Sequence, residues 1–267
     1  MRLRPRAKQL SFLILLCTAA CASASVETRP ALLGRHPRSL INVIDAETMV
    51  KRGQGDALMM FTCAIDPLGQ GYGLQIYRET EGSGPLKRHL LDCYQRALFI
   101  PAIYHGQPTT VIMFGTVIFA VVNGKPHVRI FLNQEEADLR AGSDFIAPQV
   151  AFAPGHRFKG LVYPPGVKAA GAVAAAVDVD LSGKVTNARV IAEHPPGLGF
   201  GAQVVGGIRD APFIPGFRNG KPVACRFTMP VVFIGPTAQW KTGPRGTIVG
   251  RQGGSRTGHN FPADPKP

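Results

Sequence analysis

FIPGFRNGKPVACRFTMPVVF, from Phe213 to Phe233, is the stretch whose reading decides the fold. Asn219 and Gly220 mark a turn, and beyond it the chain alternates. Val223, Cys225, Phe227, Met229, Val231 and Phe233 point one way, and Ala224, Arg226, Thr228 and Pro230 the other. Period two is the signature of a strand with one face in a core and the other in water. A sister segment, FIPAIYHGQPTTVIMFGTVIF, runs from Phe99 to Phe119, 114 residues earlier. The offset needs no gap: Asp66 matches Asp180, Gly69 Gly183, Ala97 Ala211, Pro101 Pro215, Gly106 Gly220 and Phe119 Phe233. A period this long predicts two copies of one domain rather than a solenoid.

Around these segments each copy reads as a hairpin followed by a helix. In the first, Met59, Phe61, Cys63 and Ile65 alternate as a strand, Asp66 to Gly69 is a turn by its Pro and Gly, and Leu74 and Ile76 lie on the return strand. A helix opens near Pro85, with Leu86, Leu90, Cys93 and Ala97 on one stripe. A short helix before the hairpin takes Asp45 as its N-cap. Asn123 and Gly124, set between apolar runs, add a further hairpin strand up to Leu132. In the second copy Gly171 to Val179 and Val185 to Ile191 form the hairpin, and Phe200, Val204, Gly207 and Ala211 the helical stripe. The expected class is therefore α+β, two small domains, each an antiparallel sheet with one packed helix. The expected boundaries are a signal peptide at 1–24, a flexible segment at 25–44, the first domain at 45–133, a linker at 134–157, the second domain at 158–235 and a disordered basic tail at 236–267.

The N-terminus points to export. Arg2, Arg4, Arg6 and Lys8 precede the apolar run from Leu10 to Ala20, and Ala22-Ser23-Ala24 is a small-residue cleavage signal before Ser25. Retention as a membrane anchor is the alternative, although the run is shorter than the roughly 20 residues of a spanning helix. Thr18 to Cys21 also approaches a bacterial lipoprotein box, which makes Cys21 a candidate lipidation site. Cys63, Cys93 and Cys225 then remain in an oxidising compartment. Cys93 on the helix stripe and Cys63 on the facing strand are expected to form a disulfide, with two buried free thiols as the alternative and the pairing of Cys225 open.

Motif chemistry is sparse. The seven histidines lack metal-ligand spacing, no C-x-x-C or G-x-S-x-G occurs, and the Gly-rich runs at 197–201 and 220–222 lack the residues that bind phosphate or magnesium. The reading is a non-enzyme with no cofactor, metal or catalytic residue. A net charge of +13 and a pI near 10.0 favour an anionic partner. For an exported chain the alternative function is an envelope scaffold that grips anionic cell wall or lipid through its basic tail, with Lys241, Arg245, Arg251 and Arg256 as the contacts, and nucleic acid is not expected.

Tyr163-Pro164-Pro165, the turn at Gly183, Phe213-Ile214-Pro215, Asn219 to Pro222 and Pro230 to Phe233 together resemble the C-terminal domain of TonB-type energy transducers. The resemblance covers 163–233 well and 59–119 more weakly. It implies a periplasmic three-stranded sheet with one helix, beside whose last strand a segment of an outer-membrane receptor adds as a further strand. Ala211 and Pro212 stand where the family has an aromatic residue, and the apolar N-terminal run has no His. The binding domain is thus what the resemblance carries, rather than coupling to a proton-driven motor. The expected peptide-binding edge comprises Tyr163, Pro164, Val223, Arg226 and Thr228. Its guest is an outer-membrane receptor segment or another envelope protein. Homodimerisation through the same edge is the competing use.

Overall fold

Backbone pairing in the structure, a computed structural model, repeats at the spacing read from the sequence. Residues 26–153, 155, 158, 160–234, 240–242 and 248–250 are described. The expected signal peptide at 1–24, Cys21 within it, Arg245, Arg251 and Arg256 lie outside the described residues. The first half runs α1 (Leu40–Val43), α2 (Ala46–Lys51), β1 (Ala57–Ile65), β2 (Gly71–Glu79), α3 (Gly84–Tyr94), β3 (Ala102–Tyr104), β4 (Gln107–Val122) and β5 (Lys125–Phe131). It continues through α4 (Glu136–Ala141) and β6 (Gln149–Phe152). The second half runs β7 (Gly171–Val179), β8 (Val185–His194), α5 (Phe200–Ile208), β9 (Phe213–Ile214), β10 (Gly216–Arg218), β11 (Lys221–Val223) and β12 (Cys225–Phe233).

β1 pairs antiparallel with β4 so that Ile65 faces Val111, and β7 pairs antiparallel with β12 so that Val179 faces Cys225, each partner 114 residues on. Ala102–Thr109 and Gly216–Val223 pair in the same register at the same offset. The turns between those short strands have positive φ at two successive residues, 50° and 76° at His105 and Gly106, 51° and 70° at Asn219 and Gly220. That is the type I′ turn whose twist matches its strands. Gly69 and Gly183 sit at φ +76° and +83°, and a Cβ on either would collide with the carbonyl oxygen of Phe99 or Phe213. Only glycine lets the hairpin tip close on the Phe-Ile-Pro segment.

Two apolar cores follow. The first lies between α3 and the sheet β2-β1-β4, where Met59, Phe61, Ile65, Leu86, Leu90 and Met113 are fully buried. The second lies between α5 and the three-stranded sheet β12-β7-β8, around Val173, Val177, Phe200, Val204 and Phe227. Phe114, Phe145 and Val150 project into this second core from the first sheet and its extension, and the Phe114 and Phe227 rings stand 5.9 Å apart.

Several expectations are corrected. The segment 25–44 is not loose where it is described. Arg29 and Leu32 exchange backbone hydrogen bonds with Ile103 and Ile100 at 2.8–3.0 Å, and Ala31 is fully buried. The buried Gln149 carboxamide accepts from the Ala31 N–H at 2.8 Å and donates to the Ala31 carbonyl at 3.0 Å. The segment 134–157 is not a bare connector either, since β6 pairs with β4 on one side and with β9 on the other. Of the tail, Trp240–Thr242 and Ile248–Gly250 pair as two short strands, β13 and β14.

The expected disulfide is also absent: Cys63, Cys93 and Cys225 are free thiols. Cys63 and Cys93 do share the first core. The Cys93 thiol, however, donates to the Val43 carbonyl at 3.0 Å and lies 3.3 Å from His89 Nε2, while Cys63 is engaged with Tyr94. Each sulfur is satisfied elsewhere, so sharing a core does not bring the two together.

Candidate functional site

β12 carries the candidate edge. Its face toward α5 is set by Phe227, Met229 and Phe233, buried, with Cys225 and Val231 partly so. Along one flank it pairs with β7 from Cys225 to Phe233 without a register shift. Along the other flank no strand pairs with it among the described residues. The equivalent flank of β4 is filled: Thr110–Ile112 pair with β6 and Thr116–Val122 with β5. Unpaired N–H and C=O groups on a strand edge are a template for another chain.

Which backbone groups face that flank follows from one contact. Thr228 lies opposite Ala176, yet its N–H donates to Glu135 Oε1 at 2.7 Å. Thr228 and Ala176 are therefore a non-hydrogen-bonded pair, and Arg226, Pro230 and Val232 present their backbone to the same outer flank. Pro230 has no N–H to offer there. Its ring is buried, and Val232 packs on a small cluster formed by Met60, Tyr77, Phe131 and Leu139. The back of β12 thus leans on the first sheet, which accounts for the departure of Pro230 from simple alternation.

Glu135 is held from behind. Its N–H donates to Asn133 Oδ1 at 3.2 Å, the Asn133 carboxamide donates to the Phe145 carbonyl at 2.7 Å, and Thr116 Oγ1 donates to the Asn133 carbonyl at 2.7 Å. Asn133 and Thr116 are both fully buried. The same segment makes two more contacts with the second half. Arg218 Nη1 donates to Asp138 Oδ1 at 2.8 Å, and the Asn219 N–H donates to Asp144 Oδ2 at 2.6 Å. The Arg218 hydrogen bond is the main reason the Asp138 carboxyl titrates below the usual carboxylate range.

The five expected edge residues do not form one surface. Arg226 is exposed and forks onto Asp178 at 2.6 and 2.8 Å, which lowers the Asp178 pKa first of all through that hydrogen bond. Tyr163 packs edge-on against Phe200 and Phe233, at 5.5 and 5.6 Å, and its hydroxyl donates to the Ala169 carbonyl. Phe233 and Arg226 are seven residues apart on one strand, roughly 23 Å. Pro164 is buried, and Val223 is half-buried against the second core. Thr228 and Arg226 therefore stay with the edge, whereas Tyr163, Pro164 and Val223 serve packing.

Burial pushes the Cys63 thiol up to about 12 and the Cys225 thiol up to about 11. Among the described residues no group of three or more His, Cys, Asp or Glu is placed to hold a metal ion, and no helix is long and apolar enough to cross a membrane. An open groove of about 500 Å³, lined by Val26, His105, Leu181, Pro215, Phe217 and Pro222, lies apart from the β12 flank.

Glu135, Asn133, Thr116 and Gln149 carry no motif. Glu135 sits in the acidic run Glu135-Glu136-Ala137-Asp138, which reads as a solvated surface. Residues 161–234 match the family model described as the Gram-negative bacterial TonB protein C-terminal. The matched stretch is under a third of the chain. It contains β7, β8, α5 and β9 to β12 and does not include the first half. Comparison with curated proteins and with solved structures returned no match.

Proposed function

We propose that the second half of the chain is a periplasmic binding domain of the TonB type, and that it takes an extended segment of an outer-membrane receptor as an added strand along β12. The observation that carries this reading is the asymmetry of the twin strands. β4 has strands on both flanks, whereas among the described residues β12 pairs with β7 on one flank and with no strand on the other, where the Glu135 carboxylate takes the Thr228 N–H. Strand addition draws its affinity from main-chain hydrogen bonds and its selectivity from alternate side chains. The family match over 161–234 supports the choice of partner class. The first half is on this reading a divergent copy of the same domain, its equivalent flank closed by β5 and β6. Export by residues 1–24 places the protein with such partners, and the mass of the mature N-terminus tests that placement.

Binding is tested with fluorescent peptides copying the N-terminal segments of outer-membrane receptors, titrated against the full chain. Saturable binding is expected, and it should depend little on salt because backbone pairing is not a phosphate-type ionic contact. The variant Thr228→Pro removes an N–H that β7 does not use, so the fold should hold while the guest is excluded. Absence of binding up to millimolar peptide, or unchanged binding by a folded Thr228→Pro variant, would refute the reading.

A further inference from the structure

We infer that the segment from Asn133 to Asp144 is a built-in latch on the docking flank, with the Glu135 carboxylate occupying the place a guest strand must take. The inference rests on the proposed use of β12 as a peptide edge.

Three acidic side chains of this segment each take a donor from the second half: Glu135 from the Thr228 N–H, Asp138 from Arg218 and Asp144 from the Asn219 N–H. The anchor behind them is rigid. Asn133 and Thr116 are buried: Thr116 Oγ1, on β4, donates to the Asn133 carbonyl, and the Asn133 carboxamide donates to the Phe145 carbonyl and accepts from the Glu135 N–H. A carboxylate on a backbone N–H makes a charge-assisted bond, shorter and stronger than one between neutral groups. It satisfies the Thr228 donor, and Pro230 supplies none, so of the four residues facing this flank only Arg226 and Val232 keep an N–H for a guest.

The geometry also fixes what a guest has to do. In an added antiparallel or parallel strand a guest carbonyl must come to within about 3 Å of the Thr228 nitrogen. Glu135 Oε1 is already there. Guest and carboxylate cannot share the site, so binding displaces Glu135 and leaves it to water.

The test compares wild type, Glu135→Ala and Glu135→Gln in the full chain, titrated with the same fluorescent receptor peptides, alongside amide exchange at Thr228. Loss of the carboxylate should tighten peptide binding by about tenfold or more, since a hydrogen bond to a charged group is lost only from the resting state. Glu135→Gln keeps a neutral acceptor and should fall between the two. Thr228 should exchange faster in Glu135→Ala before peptide is added, while unchanged protection of the β12 amides paired with β7 reports that the rest of the fold is intact. Equal affinity of all three proteins would overturn the latch while leaving the docking edge standing. Failure of all three to bind any peptide would overturn the edge and the latch together.

Discussion

Replacing Gln149 by Ala tests the tie between the N-terminal arm and β6. Gln149 is 1 % exposed and Ala31 0 %, and one carboxamide satisfies both the N–H and the C=O of Ala31 at 2.8 and 3.0 Å. The variant leaves two buried backbone groups without a partner. Each uncompensated group costs about 1–3 kcal/mol, so the expected loss is about 2–6 kcal/mol. Against a domain stability of about 5–15 kcal/mol that is a large fraction. With a urea slope of about 2 kcal/mol per molar the midpoint should fall by about 1–3 M. Deleting residues 26–33 provides the control. In that background the carboxamide has lost its partner, so Gln149→Ala should cost almost nothing. A midpoint shift under about 0.3 M in the intact chain, or an undiminished shift in the deleted one, would refute the assignment of Gln149 as the clamp of the N-terminal arm.

Three other outcomes follow from the same contacts. Phe227→Ala removes a ring that is 1 % exposed between Phe114 and Phe213 and should cost about 3–5 kcal/mol in a denaturant titration. Asp138 has its folded-state pKa lowered, chiefly by Arg218. The stability this contributes is present above the unfolded carboxyl pKa of about 3.9 and is lost as pH falls through the lower folded value. Asp138→Asn should therefore flatten acid unfolding below about pH 4, followed by circular dichroism. At pH 8 native Cys63 and Cys93 should resist iodoacetamide, because both are buried and burial raises both thiols. Denaturation without reductant should expose all three described cysteines to alkylation, and a mass showing any pair protected would contradict the free-thiol structure.

The parts of the fold legible in the sequence were those with a local period or a steric demand. Asn219-Gly220 and His105-Gly106 read as turns because few residues tolerate positive φ, and the Leu86 and Phe200 stripes read as helix faces because apolar residues recur at helical spacing. The N-terminal arm and β6 did not, for a physical reason. Arg29 to Leu32 and Gln149 to Phe152 are four-residue pieces held by edge pairing, too short to show alternation, and each lies beside or contains a proline or a polar residue. Their order comes from the strand they meet, not from their own pattern.

The site divided in the same way. β12 was legible from its alternation, and Arg226 and Thr228 with it. Tyr163 and Pro164 share the segment's family resemblance but pack at the far end of the strand, where Tyr163 meets Phe200 and Phe233. Glu135 was hidden because a lone carboxylate in an acidic run differs from its neighbours only by what lies opposite it. The Cys63–Cys93 bond failed at the last step. Both residues lie in the first core, but thiol direction depends on rotamers and on Tyr94 and Val43, neither of which a residue spacing reveals.

The most direct test of the proposed docking flank is amide hydrogen exchange across β12 with and without saturating receptor peptide, read residue by residue by NMR. Bound peptide should slow exchange at Arg226 and Val232, whose N–H groups face away from β7, and hold Thr228 protected after Glu135 has left, while the amides already paired with β7 change little. Protection confined to β8, or no change anywhere on β12 under saturating peptide, would contradict the account.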